Sequence, residues 1–208
     1  MRNKKLYLEN NQSQQGFTLV ELLVVVALFT VLMLVIFASI ASFYRLNAYT
    51  IAQSYQVDNA RRGTDLMVRD LREMTFSDNG TFPLVLMQGY KVGFYSDIDR
   101  DNSVEYVEYS LASSTTLYKR IYAATGTPPV YSTTTPESTT TISVYVQNYA
   151  QNNPIFVYYD ENGLPATATS TVTDIRYIQV SVIVNIDPIR DPGQYMLRSS
   201  ASLRNLKN

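Results

Sequence analysis

Histidine and cysteine are both absent from this sequence. With them go the commonest general base, the thiol nucleophile and the usual ligands of transition metals. No disulfide can staple the fold, so any exported part must rest on an ordinary apolar core. An excess of one charge is lacking too: 17 basic residues stand against 18 acidic ones, with no basic run. That balance argues against a phosphate-tracking nucleic-acid surface. Serine with lysine, or paired carboxylates, remain as hydrolytic chemistries. The acids that cluster do so in a single turn, where a bound cation or solvent accounts for them, so the chain is not expected to be an enzyme. The seventeen tyrosines read as sheet faces and interface material.

Charge, glycine and proline are all missing from Leu22 to Ile40, a run of nineteen residues. At about 1.5 Å per residue it covers roughly the core of a bilayer, so a spanning helix is the first reading. Ahead of it, Leu6 to Gln15 is mostly polar, and the apolar run begins only after Gly16. A secretory signal puts its apolar region before the cut instead. Arg2, Lys4 and Lys5 on the short side favour a cytoplasmic N-terminus, with the rest of the chain exported. Glu21 interrupts the apolar pattern near its start. A carboxylate in a membrane helix costs about 2.5 to 3.5 kcal/mol at the bilayer centre and less toward the edge, and such groups usually have a partner. Two readings stand: a positive amine released by cleavage after Gly16, or a side chain that reaches the interface.

Gly16-Phe17-Thr18-Leu19-Val20-Glu21-Leu22-Leu23 strongly resembles the processing and assembly motif of type IV pilins and type II secretion pseudopilins. The resemblance implies that a prepilin peptidase cuts after Gly16 and methylates the new terminal Phe17. It implies that Glu21 engages a neighbouring subunit's N-terminus during assembly. Its implied partners are that peptidase, other pilin or pseudopilin subunits, an inner-membrane assembly platform and, before assembly, membrane lipid. The implied address is the cytoplasmic membrane and then a pilus or pseudopilus. Removing residues 1–16 takes away three basic residues and one acidic, leaving 14 and 17. Many pilins have a proline in the membrane half of this helix, and this chain has none there.

The helix is expected to run on from Thr18 to Glu73, roughly 80 Å, with residues 17–43 as the transmembrane and assembly part and 44–76 as an amphipathic continuation. Val57, Ala60, Thr64, Met67, Leu71 and Met74 form its apolar stripe at spacings of three and four. Arg61, Arg62, Asp65, Arg69, Asp70, Arg72 and Glu73 fall mostly elsewhere and read as a solvated face or a subunit contact, with Asp65 and Arg69 as a surface pair. Ser77-Asp78-Asn79-Gly80 and Pro83 mark the stop.

From residue 77 to 208 the period becomes that of strands, at 92–95, 104–111, 117–122, 142–146, 155–159 and 175–186. A long helix followed by such strands is an α+β fold, a pilin-like helix on an antiparallel sheet. The Ser/Thr-rich stretches at 133–141 and 166–173 read as exposed loops. Phe156 to Gly163, the strand 175–186 and the ending Leu203-Arg204-Asn205-Leu206 look like minor pilins and pseudopilins of the J and W types.

One further constellation could carry chemistry. Asp97, Asp99, Asp101, Glu105 and Glu108 occupy positions 1, 3, 5, 9 and 12 of a calcium loop of the EF-hand type, with the Ser103 carbonyl at position 7 and Asn102 where glycine is usual. Hard carboxylate oxygens suit Ca²⁺. The flanks are strands, which would put Glu105 and Glu108 on opposite faces, and the alternative is a solvated hairpin turn. Two functions remain: a minor pilin or pseudopilin near the tip of a fibre, or a membrane-anchored binding module, such as a calcium-dependent adhesin, that never polymerises.

Overall fold

In the computed structural model, residues 16–111, 115–167, 170–189 and 193–203 are described. The chain divides into two compact units, Met1–Ala48 and Tyr49–Asn208. The long helix α1 is Leu19–Arg72, within one residue of the expected bounds at each end.

In the first unit, α1 buries nothing. Phe17, Leu19, Leu23, Phe29, Phe37 and Phe43 are all exposed, and the helix is long and apolar enough to cross a membrane. Its one mid-run threonine does not break this character, because Thr30 Oγ1 donates to the Val26 carbonyl at 2.8 Å. A hydroxyl bonded back into its own helix leaves no donor facing lipid.

In the second unit the expected stripe points inward. Ala60, Thr64, Met67, Leu71 and Met74 are buried, with Val57 half-buried. Met67, Leu71 and Met74 are wholly sealed, and each such side chain stabilises the fold by about 1.5–3 kcal/mol. They join Val92, Phe94, Val107 and Tyr109 in one apolar cluster. The helix closes as Glu73 N donates to the carbonyls of Arg69 at 3.1 Å and Asp70 at 3.2 Å.

Ten strands follow: β1 Leu84–Gln88, β2 Lys91–Ser96, β3 Glu105–Ser110, β4 Leu117–Tyr122, β5 Ala124–Thr125, β6 Val130–Tyr131, β7 Ser138–Ser143, β8 Phe156–Tyr159, β9 Tyr177–Val184 and β10 Tyr195–Ser202. They form a five-stranded sheet in the order β1-β2-β3-β4-β7, a three-stranded sheet β10-β9-β8 and a small β5-β6 ribbon. All pairings are antiparallel, so the fold is α+β as expected. The two larger sheets are tied together by Tyr158, whose hydroxyl donates to the Gln88 carbonyl at 3.0 Å and accepts from Gln88 N at 3.2 Å. Asn148, fully buried, fastens the 144–155 connection to β9. Its Nδ2 donates to the Ser181 carbonyl at 2.8 Å, and its Oδ1 accepts from Ile183 N at 2.7 Å.

Two expectations are corrected. Residues 138–141, read as loop, are the first part of β7, and the strand read at 142–146 ends at Ser143, with only a bridge from Val146 to Val184 beyond. β7 is an edge strand whose first four residues are exposed. Threonine is β-branched and fits such a position without an apolar face. The second correction concerns Asp70. It is 1 % exposed and lies in the core, not on a solvated face. The expected Asp65–Arg69 pair is absent among the described ion pairs, and Arg62 with Asp58 at 2.6 Å takes the surface role.

Candidate functional site: the helix start and the carboxylate loop

The N-terminal site is built by the sequence Thr18-x-x-Glu21. Thr18 precedes the first helical residue, and its carbonyl accepts the Leu22 N–H at 3.2 Å. Thr18 Oγ1 accepts from Glu21 N at 3.2 Å. In return, Glu21 Oε2 accepts from Thr18 N and from Thr18 Oγ1, both at 2.9 Å. This reciprocal arrangement is a capping box, which satisfies donors that a helix start leaves open. Glu21 thus has a partner inside its own chain, different from both readings of the sequence. The signal was there to be read, since Thr or Ser followed three residues later by Glu ahead of an apolar run marks such a start.

Gly16 and Phe17 lie just outside the box, and Phe17 is 84 % exposed. Nothing local asks for glycine at position 16. A Cβ built there would meet no atom within 4 Å, and the backbone is not in the left-handed region. Residues 11–37 match the family described as the prokaryotic N-terminal methylation motif. The chain carries the prepilin signal of type IV pilins and pseudopilins. Gly16, Phe17, Thr18 and Glu21 all fall within the matched stretch, and with the exposed apolar helix the motif points to membrane anchoring, processing by prepilin peptidase and assembly with other pilin subunits. A search of curated proteins finds no match to this pilin-like chain. Residues 1–15 of the leader expected at 1–16, and the Arg204-Asn205-Leu206 ending, lie outside the described residues.

The second site of the pilin-like chain is the β2–β3 connection. Asp97, Asp99 and Glu105 each bring a carboxylate oxygen to within 4.8 Å of the others. Glu105 is buried and accepts the Ile98 N–H at 2.9 Å. Burial pushes its carboxyl above the ordinary range; the Ile98 N–H works against this, and the charges of Asp99, Asp97 and Asp101 add to it. Arg100 and Asn102 both adopt left-handed backbone angles, φ 63° and 71°. Asp101 is not part of the converging set: its Oδ1 accepts the Ser103 N–H at 2.7 Å and holds the turn.

Glu108 is the clear correction to the expected ligand set. It pairs with Lys91 at 2.6 Å and Arg120 at 3.2 Å. Strand alternation places it with Tyr106, on the face opposite Glu105. That face carries a row of tyrosines, Tyr95, Tyr106 and Tyr122, directly opposed across β2, β3 and β4, with Tyr131 against Tyr95 at a ring separation of 4.7 Å. Burial, followed by the charge of Glu108 and by Tyr122 and Tyr95, pushes the Tyr106 hydroxyl up to about 12.

A third cluster was invisible to the sequence reading. The register Tyr109↔Lys119 sets these side chains together against the last turn of α1. There Asp70 Oδ2 accepts from Lys119 Nζ and from Tyr109 Oη, both at 2.6 Å. Burial, then the Asp70 charge, holds the Tyr109 hydroxyl well above its ordinary range. All three side chains are buried, and the triad reads as a core fastening.

Proposed function

We propose that this chain is a minor pilin or pseudopilin subunit, cut after Gly16, methylated on Phe17 and assembled through α1 into a type IV pilus or type II secretion pseudopilus, at or near its tip. The carrying observation is the methylation motif at residues 11–37 standing at the head of an exposed apolar helix. The N-terminus faces the cytoplasm in this reading, by the Arg2, Lys4 and Lys5 bias, and the second unit is exported. The chain is the substrate of an enzyme and not itself a catalyst. The J- and W-like ending supports a minor subunit over a major one.

The mechanism is packing. A helix leaving lipid for a bundle gains little hydrophobic energy, so close contact and polar pairs must supply the association. Before assembly, the capping box keeps the Glu21 carboxylate supplied with donors. After cleavage, the new Phe17 amine of this or a neighbouring chain lies at the same helix start, and a charged amine is a stronger partner for a carboxylate than a hydroxyl.

The test is intact mass from cells with and without a prepilin peptidase, combined with Glu21→Ala. The reading expects a chain beginning at Phe17 with one added methyl only when the peptidase is present. It expects Glu21→Ala to be processed yet left in the membrane, unassembled. A chain that keeps its leader in both cells refutes it and favours an anchored module that never polymerises.

A further inference from the structure

Among the described residues three carboxylate side chains are buried: Asp70, Glu105 and Glu108. Two of them have cations, Lys119 for Asp70 and Lys91 with Arg120 for Glu108. Glu105 is only 6 % exposed, and neither it nor its neighbours Asp97, Asp99 and Asp101 forms an ion pair among the described residues. Arg100, the one cation of the loop, turns instead toward Glu73 at 3.7 Å. Asp97 adds an independent deficit, since its Oδ1 is sealed from solvent and has no hydrogen-bond donor. A buried anion without a counter-charge is among the most destabilising arrangements a fold can hold. Asp70 on α1 and Glu108 on β3 show that this chain otherwise meets that requirement.

We propose that the counter-charge is a calcium ion, held by Asp97, Asp99 and Glu105. The three oxygens lie within 4.8 Å of one another. With Ca–O distances of about 2.3–2.6 Å, oxygens sharing one ion stand up to roughly 5 Å apart, so a common ion fits this spread. All three ligands are hard carboxylates, and the chain offers no histidine or cysteine to a softer metal. The left-handed turn at Asn102 brings Glu105 back over the loop's first two acids. The Asp101 bond to Ser103 N keeps that turn closed. Backbone carbonyls and water complete the shell of six to eight oxygens that calcium takes. The site excludes Glu108, so it is a loop of strands with its own ligand set and not a displaced EF-hand. Its effect is to pin the β2–β3 connection, beside which Asp78 Oδ2 accepts the Val104 N–H at 3.1 Å.

The full-length chain in detergent micelles, stripped with a chelator, is titrated with calcium chloride and followed by Tm. In parallel, terbium is used as a luminescent substitute excited through Tyr95 and Tyr106, which flank the loop in sequence. Calcium is expected to raise Tm, with half the effect at about 10⁻⁴–10⁻³ M as in extracellular modules, and to displace terbium. The Asp97→Asn/Glu105→Gln chain should be more stable than the parent without calcium, because repelling charges are gone. It should bind calcium at least about tenfold more weakly. A parent Tm that does not move up to about 10 mM calcium, or a double variant that keeps the full response, overturns the proposal. Should the double variant fail to fold, exposed Asp99→Asn decides alone: a loss of about tenfold supports the site, and an unchanged response overturns it.

Discussion

Lys119→Met tests the buried triad most directly. The Lys119 and Asp70 side chains are 7 % and 2 % exposed and 2.6 Å apart. At an effective dielectric of about 20 their gross attraction is about 6 kcal/mol, and desolvation of both charges offsets much of it. Removing the lysine alone leaves Asp70 buried with the Tyr109 hydroxyl as its nearest donor and, as its remaining counter-charge, the largely solvated Arg69 guanidinium 3.5 Å from Oδ1. The expected loss is about 3–5 kcal/mol, a third or more of a typical domain's stability. For a unit of roughly 160 residues that corresponds to a Tm lower by about 6–20 °C. Asp70→Leu with Lys119→Met removes both charges together and should return most of the loss, because apolar pairs of similar volume replace buried ion pairs at little cost. Urea titration of the full-length chain in micelles, read by tyrosine near-ultraviolet circular dichroism, gives all three values. A Lys119→Met chain within about 1 kcal/mol of the parent, or a double variant as unstable as the sum of the singles, refutes the argument.

Gly63→Ala should destabilise by about 1–3 kcal/mol, although alanine is the better helix former, because its Cβ would lie 2.5 Å from Ile142 Cγ2 and 3.0 Å from the Ile142 carbonyl oxygen; a stabilised variant in the same urea titration would show that β7 yields freely. The Tyr106 hydroxyl titrates near 12 in the fold against about 10 unfolded. The stability this contributes is whole below pH 10 and is lost as pH rises through 12. Alkaline unfolding should therefore begin in that window and move to higher pH in Tyr106→Phe, as followed by tyrosinate absorbance.

The features legible in the sequence were those carried by local spacing. Ala60, Thr64, Met67, Leu71 and Met74 recur at the helical period and are buried as that period requires. Asp97, Asp99 and Glu105 come together because a tight loop keeps residues two and six apart near one another. What escaped was set by pairing across the chain. Asp70 looked like a surface acid until Lys119, forty-nine residues on, met it. Nothing near Asp70 in sequence announces a buried cation. Glu108 had the right offset for a metal loop, yet strand pairing gave it Lys91 and Arg120 first. β7 hid in a Ser/Thr run because an edge strand needs an apolar face only where it enters the core, at Ile142 and Ser143. Thr18 and Glu21 are legible as a cap from their spacing ahead of an apolar run.

The contacts at the C-terminal half of α1 also define how the unit carries force. A pull along the helix reaches the five-stranded sheet through Asp70 and Lys119, and the three-stranded sheet through Arg72, whose Nη2 donates to the Ser200 carbonyl at 3.0 Å. Gln53 Oε1, which accepts the Ile186 N–H at 3.0 Å, lies about five turns earlier on the same rod. Tension is thus divided between both sheets at three points along the rod, and the charged fastening sits near its far end. The second unit is fastened to its own helix by several bonds from separate elements, so that no single one of them holds it alone.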